Sequence, residues 1–295
     1  MTAQRSKWGA YLALGRVSNL PTVWSNVLVG VLLSGTQAAP RAVAMLMASL
    51  SLFYVGGMFL NDAFDRNIDA RIHPERPIPS GRVSATEVFT IGFGLMGAGA
   101  ALLVVVALAS GQSAVPVLGS GLALGALIVV YDLWHKNNPV GPLLMGGCRM
   151  LVYVCAALAV SGSISLAVLG ASLVLLSYLV GLTYVAKQET LSEFRNFWPL
   201  AFLLAPFAYV TTTGDIRSLA SLALLVSFLG WIVAAVLLLK ARAPGNIPRA
   251  VIRLIAGISL LDALLLATHA SPLAAVVAVA CFGATMLLQR YVRGT

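Results

Sequence analysis

The chain has 295 residues, of which 59% are apolar and only 10% are charged, and its mean hydropathy is +0.92. A soluble globule of this length needs more polar surface than this composition supplies, so the numbers exclude a soluble fold and indicate a polytopic membrane protein. The net charge of +9 has two explanations, an anionic partner such as nucleic acid or a signal of membrane topology.

Ten apolar segments are candidates for membrane-spanning helices. Glycine, proline or charged residues bound them, and runs of this kind are long enough to cross a hydrocarbon core of about 30 Å. They show no period-two alternation, which excludes a transmembrane β-barrel, so the sequence predicts a single all-α domain over residues 1–295. In chain order the segments cover residues 20–34, 42–60, 88–109, 115–131, 143–160, 166–186, 197–213, 219–239, 252–267 and 273–288.

The placement of the basic residues explains the net charge. When the ten segments are threaded alternately through a membrane, sixteen of the nineteen lysines and arginines fall on the side of the N-terminus. This bias is what the positive-inside rule predicts for a cytoplasmic N-terminus. We therefore expect an integral protein of a bacterial inner (cytoplasmic) membrane, with its active site on the cytoplasmic side and without a nucleic-acid partner.

A cluster of aspartates directly follows the second apolar segment. Asp62, Asp65 and Asp69 are three of the six aspartates in the chain and are spaced i, i+3, i+7. If the helix continues past the membrane boundary, a rotation of about 100° per residue places them within about 60° of one another. Carboxylates this close repel unless a cation lies between them, and Mg2+ binds protein carboxylates together with substrate phosphate oxygens. The spacing predicts a magnesium site; a solvated helix end without a ligand is the alternative.

A second acidic pair follows the sixth apolar segment. Glu189 and Glu193 are spaced i, i+4 and face the same compartment as the aspartates, because four segments separate the two clusters. Two acidic helix ends that face each other can hold two metal ions on one diphosphate. We therefore include both glutamates in the predicted metal site.

Basic residues surround these clusters. Arg71 and Arg76 lie in the loop after the aspartates, and Lys136 and Lys187 lie at helix ends on the same side; anchoring by the positive-inside rule is the alternative explanation for each. Arg149 differs, because it lies about six residues inside the fifth segment, roughly 9 Å deep, where a charge is costly and usually functional. We expect Arg149 and Lys136 to contact phosphate oxygens.

The first aspartate cluster carries a resemblance to a known family. The pattern Asn61-Asp62-x-x-Asp65-x-x-x-Asp69, followed by Arg71 and Arg76-Pro77-Ile78, resembles the first aspartate-rich motif of the UbiA superfamily of intramembrane prenyltransferases. The likeness extends from about Arg16 to Pro199. Other positions that are similar to family patterns are Arg16, Asn19, Pro21, Tyr131, Lys136, Gly146, Gly147 and Arg149.

The resemblance implies a polytopic transmembrane helical bundle of nine to ten helices around a central, lipid-accessible cavity. It also implies transfer of an isoprenyl chain from an isoprenyl diphosphate donor to a small lipophilic or aromatic acceptor, with Mg2+ as cofactor and diphosphate as leaving group. The catalytic residues would be Asp62, Asp65, Lys136 and Arg149. The metal ligands would be Asp62, Asp65, Asp69, Glu189 and Glu193. The donor-binding residues would be Asn61, Arg71, Arg76, Lys187 and Tyr131.

Two features differ from the family pattern, and two other functions remain as alternatives. The second motif of the family is an aspartate pair at i, i+4, which is replaced here by Glu189 and Glu193. The family usually has nine spans, whereas charge placement here predicts a tenth. The alternatives are glycosyl (phosphoribosyl) transfer to a prenyl phosphate within the same family, and an ion- or proton-coupled transporter. Transporters place such acidic residues near the membrane midplane on broken helices, rather than at helix ends.

Overall fold

The computed structural model describes residues 7–136, 138–188, 197–241, 243 and 245–292. All regular secondary structure in these residues is helical, which confirms the predicted all-α fold. Two short 3-10 helices, Val17–Asn19 and Trp198–Leu204, accompany eleven α-helices. The α-helices are α1 (Lys7–Leu14), α2 (Leu20–Leu33), α3 (Pro40–Ile72), α4 (Ala85–Ala109), α5 (Ala114–Trp134), α6 (Gly141–Ser161), α7 (Leu166–Lys187), α8 (Ala205–Thr213), α9 (Leu219–Lys240), α10 (Asn246–His269) and α11 (Pro272–Leu288).

The ten predicted segments correspond to helices α2 to α11. The seventh segment is divided between the second 3-10 helix and α8, and the short helix α1 was not predicted as an element of its own. Seven helices within the described residues are long and apolar enough to cross a membrane, namely α3 to α7, α9 and α10. The protein is therefore an integral membrane protein with a polytopic helical bundle.

The ends of the helices follow from local sequence. The Ser84 hydroxyl accepts a hydrogen bond from the Glu87 backbone N–H, 3.1 Å away, and so caps α4. The Ser165 hydroxyl caps α7 in the same way. Pro40 begins α3; backbone N–H groups in the first turn of a helix have no intrahelical acceptor, so proline costs no hydrogen bond there. Gly162 ends α6 with a φ of 69°, in the left-handed region that favours glycine.

A close crossing of α2 and α6 sets the geometry of the bundle interior. A Cβ atom added at Gly30 would lie 2.5 Å from the backbone oxygen of Tyr153, so glycine is needed for the two backbones to approach. Four residues earlier on each helix, the same crossing brings Asn26 next to Arg149. Helix α10 packs against α2, α7, α9 and α11, and most of its residues are buried.

A cavity of about 580 Å³ lies between α2, α3, α5, α6, α7 and α10. Its inner part is lined by apolar side chains such as Phe53, Val152, Leu179 and Ile258, and its mouth is lined by charged ones. Helix α3 has 33 residues, about 50 Å at 1.5 Å per residue, and is longer than a hydrocarbon core of about 30 Å. Its last turns therefore extend beyond the apolar layer and carry the aspartates to the mouth.

Candidate active site

The three aspartates of α3 lie on one buried face of the helix. Helix α3 continues unbroken to Ile72, and the exposed fractions of Asp62, Asp65 and Asp69 are only 7%, 6% and 2%. Asn67, on the opposite face, is exposed. The i, i+3, i+7 spacing thus directs all three carboxylates into the protein interior, where they contact cations that line the mouth of the cavity, although the aspartates themselves do not line it.

Each aspartate makes an ion pair with a cation from a different part of the chain. Arg16 Nη2 lies 3.3 Å from Asp62 Oδ1, and Lys136 Nζ lies 3.0 Å from Asp65 Oδ2. The third pair joins Arg76 Nη1 to Asp69 Oδ2 over 2.8 Å, because the loop after α3 folds back over the end of that helix. These pairs assemble a compact site of alternating charge, in which Arg16 and Lys136 come from elements far from the aspartates in sequence.

Arg16 reaches the site from a strained backbone. Its φ of 42° and ψ of 45° place it in the left-handed region, which costs a non-glycine residue roughly 1–2 kcal/mol. The guanidinium Nη2 donates to both Asp62 Oδ1 and the side-chain oxygen Oδ1 of Asn61. Burial acts to lower the pKa of Arg16, but the Asp62 carboxylate and neighbouring acidic groups raise it more, so the net shift is upward and the side chain stays charged.

Asn61 connects the site to a further carboxylate that sequence reasoning did not include. Its Nδ2 donates to Asp132 Oδ1 over 3.0 Å, and Asp132 lines the cavity while only 4% exposed. The other carboxylate oxygen of Asp132 has no hydrogen-bond partner within the described residues. In the sequence, only the position of Asp132 between Tyr131 and Lys136 could have indicated that Asp132 belongs to the site.

Tyr131 and His135 form an aromatic wall of the cavity. Their rings stack with centroids 4.8 Å apart, and both line the cavity. His135 Nε2 also lies 3.6 Å from Asp65 Oδ2. Burial lowers the pKa of His135, an effect that the nearby Lys136 cation strengthens and the Asp65 carboxylate opposes.

The remaining predicted residues at the helix ends have different placements. Lys187 lines the cavity and donates to the backbone oxygen of Asn138. Arg71 is exposed and does not line the cavity, because a position two residues after Asp69 points to the other side of the helix. The structure therefore does not bring Arg71 to the site. Glu189 and Glu193 lie outside the described residues.

Arg149 lies deeper than the aspartates and contacts none of them. Its Nη1 donates to Asn26 Oδ1 and its Nη2 to Thr22 Oγ1, both over 3.1 Å. The guanidinium carbon lies 5.2 Å from the centre of the Tyr54 ring. Arg149 and Lys136 thus lie in different parts of the cavity wall, and the expectation that they contact phosphate oxygens stays a prediction.

The aspartate cluster fits a magnesium ion only together with other ligands. Within the described residues, no group of three or more histidine, cysteine, aspartate or glutamate side chains is arranged to hold a metal ion alone. Mg2+ needs only one or two protein carboxylates when water and phosphate oxygens complete its octahedron. Each of the three aspartates uses a single oxygen in its ion pairs with described residues. The second oxygen of each can therefore serve a metal ion.

The helical bundle and this site define a class of integral membrane protein with a cluster of ion pairs at the mouth of an apolar chamber. A family model narrows the class further: the UbiA prenyltransferase family matches residues 20–244. The chain belongs to this family, which confirms the resemblance seen in the sequence.

The curated relatives that match part of the chain include two enzymes with different names. The digeranylgeranylglyceryl phosphate synthase of Ignicoccus hospitalis is 37% identical over 125 residues, which are 42% of this chain and 38% of the relative. The protoheme IX farnesyltransferase of Alkalihalophilus pseudofirmus is 30% identical over 151 residues, 48% of this chain and 46% of the relative. The chain thus spans less than half the length of each of these relatives.

A solved structure shares the fold over nearly the whole chain. It concerns digeranylgeranylglyceryl phosphate synthase in membranes, and it is similar with a TM-score of 0.61 at 20% identity. The likeness covers 89% of this chain and 98% of that one. At this identity the comparison shows the fold alone.

Proposed function

We propose that the chain transfers an isoprenyl group from an isoprenyl diphosphate to a small acceptor inside the membrane and releases diphosphate. The observation that carries the proposal is the junction of a charged cluster with an apolar chamber of about 580 Å³. An isoprenyl diphosphate has the same division into an anionic head and a hydrocarbon tail. The bias of basic residues supports a cytoplasmic position for this junction.

The ion pairs at the mouth provide groups for the diphosphate head. Asp62, Asp65 and Asp69 would hold Mg2+, which when bound neutralises the charge that develops on the leaving diphosphate. Arg16, Arg76 and Lys136 already lie within 3.3 Å of these carboxylates and can donate to phosphate oxygens in the same place. Asn61, held by Asp132 over 3.0 Å, would orient the first aspartate through Arg16, which contacts both residues. Lys187 adds a further cation of the cavity wall, and Glu189 and Glu193 would hold a second ion.

The chamber itself protects the reacting carbon. The bond from the first prenyl carbon to the diphosphate oxygen breaks, a bond from that carbon to the acceptor forms, and the acceptor loses a proton. The allylic cation that develops would react with water, so a dry, apolar lining favours transfer over hydrolysis. Tyr54 and Tyr131 line the cavity and can each stabilise such a cation by about 1–2 kcal/mol when desolvated.

Turnover with a substrate panel tests the proposed function. The full chain in lipid nanodiscs is incubated with labelled geranyl, farnesyl and geranylgeranyl diphosphates and with aromatic, tetrapyrrole and glycerol-phosphate acceptors. We expect release of diphosphate together with an equal amount of a new lipophilic product. In a parallel incubation with a phosphoribosyl donor and a prenyl phosphate, transfer to the prenyl phosphate would support the glycosyl-transfer alternative. Substrate-coupled ion flux into sealed proteoliposomes without any product would support the transporter.

A further inference from the structure

A buried network of polar side chains crosses the bundle below the aspartate site. Asp262 of α10 is fully buried, and it accepts hydrogen bonds from Ser25 over 2.5 Å, from Asn26 over 2.8 Å and from the Tyr153 hydroxyl. The Asn26 side chain bridges two charges, because its amide group donates to Asp262 and its oxygen accepts from Arg149. Three helices, α2, α6 and α10, thus fix one arginine in one orientation.

The network presents Arg149 to the cavity. Arg149 is 9% exposed and lines the cavity, whereas Asp262 does not line it. A guanidinium group has five N–H donors, and described residues accept hydrogen bonds from only two of its nitrogens, Nη1 and Nη2. Donors therefore remain for a ligand inside the chamber. The anion Asp262 offsets part of the cost of burying this cation.

The position of Arg149 is separate from the site proposed for the diphosphate head. Arg149 packs over Tyr54, which precedes Asp62 by eight residues, or about 12 Å along α3 at 1.5 Å per residue. The cations that contact the aspartates are Arg16, Arg76 and Lys136. A diphosphate bound at the mouth already has these partners, so Arg149 is available to a second anion.

The charge around Arg149 also favours an anion. Within the described residues, Arg16, Arg76 and Lys136 line the cavity but are paired with the aspartates behind them, whereas Arg149 lines it without an ion pair. The isoprenyl tail of the donor is hydrocarbon and offers no partner to a guanidinium. An anion at Arg149 must then belong to the other substrate.

We infer that Arg149 binds an anionic group of the acceptor, a carboxylate or a phosphate monoester, and that Asp262, Asn26 and Tyr153 are positioning residues that hold it. The inference rests on the proposed function, since it names the acceptor class of that same chamber. It assigns Arg149 to the acceptor and the cations at the mouth of the cavity to the diphosphate of the donor. Arg149 then selects acceptors, while the cluster at the mouth selects diphosphates.

Paired probes test the inference on the wild-type protein without turnover. The full chain in nanodiscs, with Mg2+ and a geranylgeranyl thiolodiphosphate that cannot release its head, is titrated with 4-hydroxybenzoate and its methyl ester. A second pair is geranylgeranylglyceryl phosphate and geranylgeranylglycerol. We expect the anionic member of one pair to bind at least about tenfold more tightly. A hydrogen bond to a charged group contributes enough binding free energy for a difference of this size in the dissociation constant. The pair that shows the preference identifies a carboxylate or a phosphate; no preference in either pair overturns the inference.

The variant Arg149→Gln tests which residue carries the preference. We expect the ratio of the two dissociation constants to fall to about two or less, because glutamine keeps hydrogen-bonding capacity but no charge. Asp62→Asn should show the reverse pattern, with weaker binding of the thiolodiphosphate and the acceptor preference kept. An unchanged ratio in Arg149→Gln, or equal losses for donor and acceptor, would overturn the assignment.

Two buried tyrosines provide a matched test if Arg149→Gln does not fold. Tyr153 and Tyr178 are both fully buried and both donate one hydrogen bond, Tyr153 to Asp262 and Tyr178 to the backbone oxygen of Leu254. Tyr153→Phe should raise the acceptor KM severalfold with little change in kcat, whereas Tyr178→Phe should not. Equal KM values for the two variants would contradict the positioning role.

The two proposals fail in different ways. If the chain is not a prenyltransferase, diphosphate release is absent with every donor, while the binding preference of the paired probes is still measured. If the inference alone is wrong, diphosphate release persists and neutral acceptors bind as well as anionic ones.

Discussion

The substitution Asp62→Asn is expected to lower kcat/KM for the isoprenyl diphosphate by at least about 100-fold, the usual cost of removing one group that stabilises developing charge. Asparagine keeps the shape of the side chain and can still accept from Arg16 Nη2, which lies 3.3 Å from Asp62 Oδ1. It relieves the repulsion among three neighbouring carboxylates but also removes the charge that pairs with Arg16, so these two effects on the free energy of unfolding oppose each other. Steady-state release of diphosphate in nanodiscs, with thermal unfolding measured in parallel, separates the effect on turnover from the effect on stability.

The matched control for this substitution is Asp215→Asn. Asp215 is an exposed aspartate in the loop between α8 and α9, and its carboxylate contacts the backbone N–H of Arg217. The control should change neither the rate nor the affinity for the donor. Near-normal turnover by Asp62→Asn would remove the aspartate cluster from the mechanism.

Removal of divalent cations is expected to stop turnover completely, and added Mg2+ should restore it. The leaving diphosphate develops charge that the cations of the wall only partly offset, because those cations are already paired with aspartates. Ca2+ should substitute poorly, since it prefers six to eight oxygen ligands at longer distances than the octahedron of Mg2+. The measurement is the rate of diphosphate release after treatment with EDTA and after each metal is returned.

The same treatment should leave the fold intact. Asp62, Asp65 and Asp69 each have a cationic partner within the chain, so loss of a metal ion leaves no unpaired carboxylate in this cluster. The thermal unfolding temperature without donor should therefore change little on addition of EDTA. A rate that persists without metal would contradict the proposed role of the cluster, and unfolding on chelation would show a structural metal instead.

The sequence predicted those parts of the fold that depend on local periodicity. Every apolar segment became helical, and α3 continued through Asp69 because nothing between Leu60 and Ile72 breaks a helix. The shared face of the three aspartates follows from the helical repeat alone. The depth of Arg149 follows in the same way from its distance to the end of its segment.

Contacts between helices far apart in the sequence could not be predicted. Asp262 lies 236 positions from Asn26, and neither periodicity nor charge placement indicates that the two meet. The link between Asn61 and Asp132 depends likewise on how α3 packs against α5. Arg71 matched the family pattern, yet the helical repeat directs it away from the cavity. Glu189 and Glu193 remain predictions from the sequence.

The central claim is that the aspartates of α3 bind the donor head through a divalent cation. Mn2+ in place of Mg2+, with geranylgeranyl thiolodiphosphate bound to the full chain in nanodiscs, allows a direct test by pulsed electron paramagnetic resonance. We expect hyperfine coupling from donor phosphorus to protein-bound Mn2+ in the wild type and its loss in the double variant Asp62→Asn with Asp65→Asn. Full phosphorus coupling in that double variant, or bound donor without any coupling in the wild type, would contradict the claim.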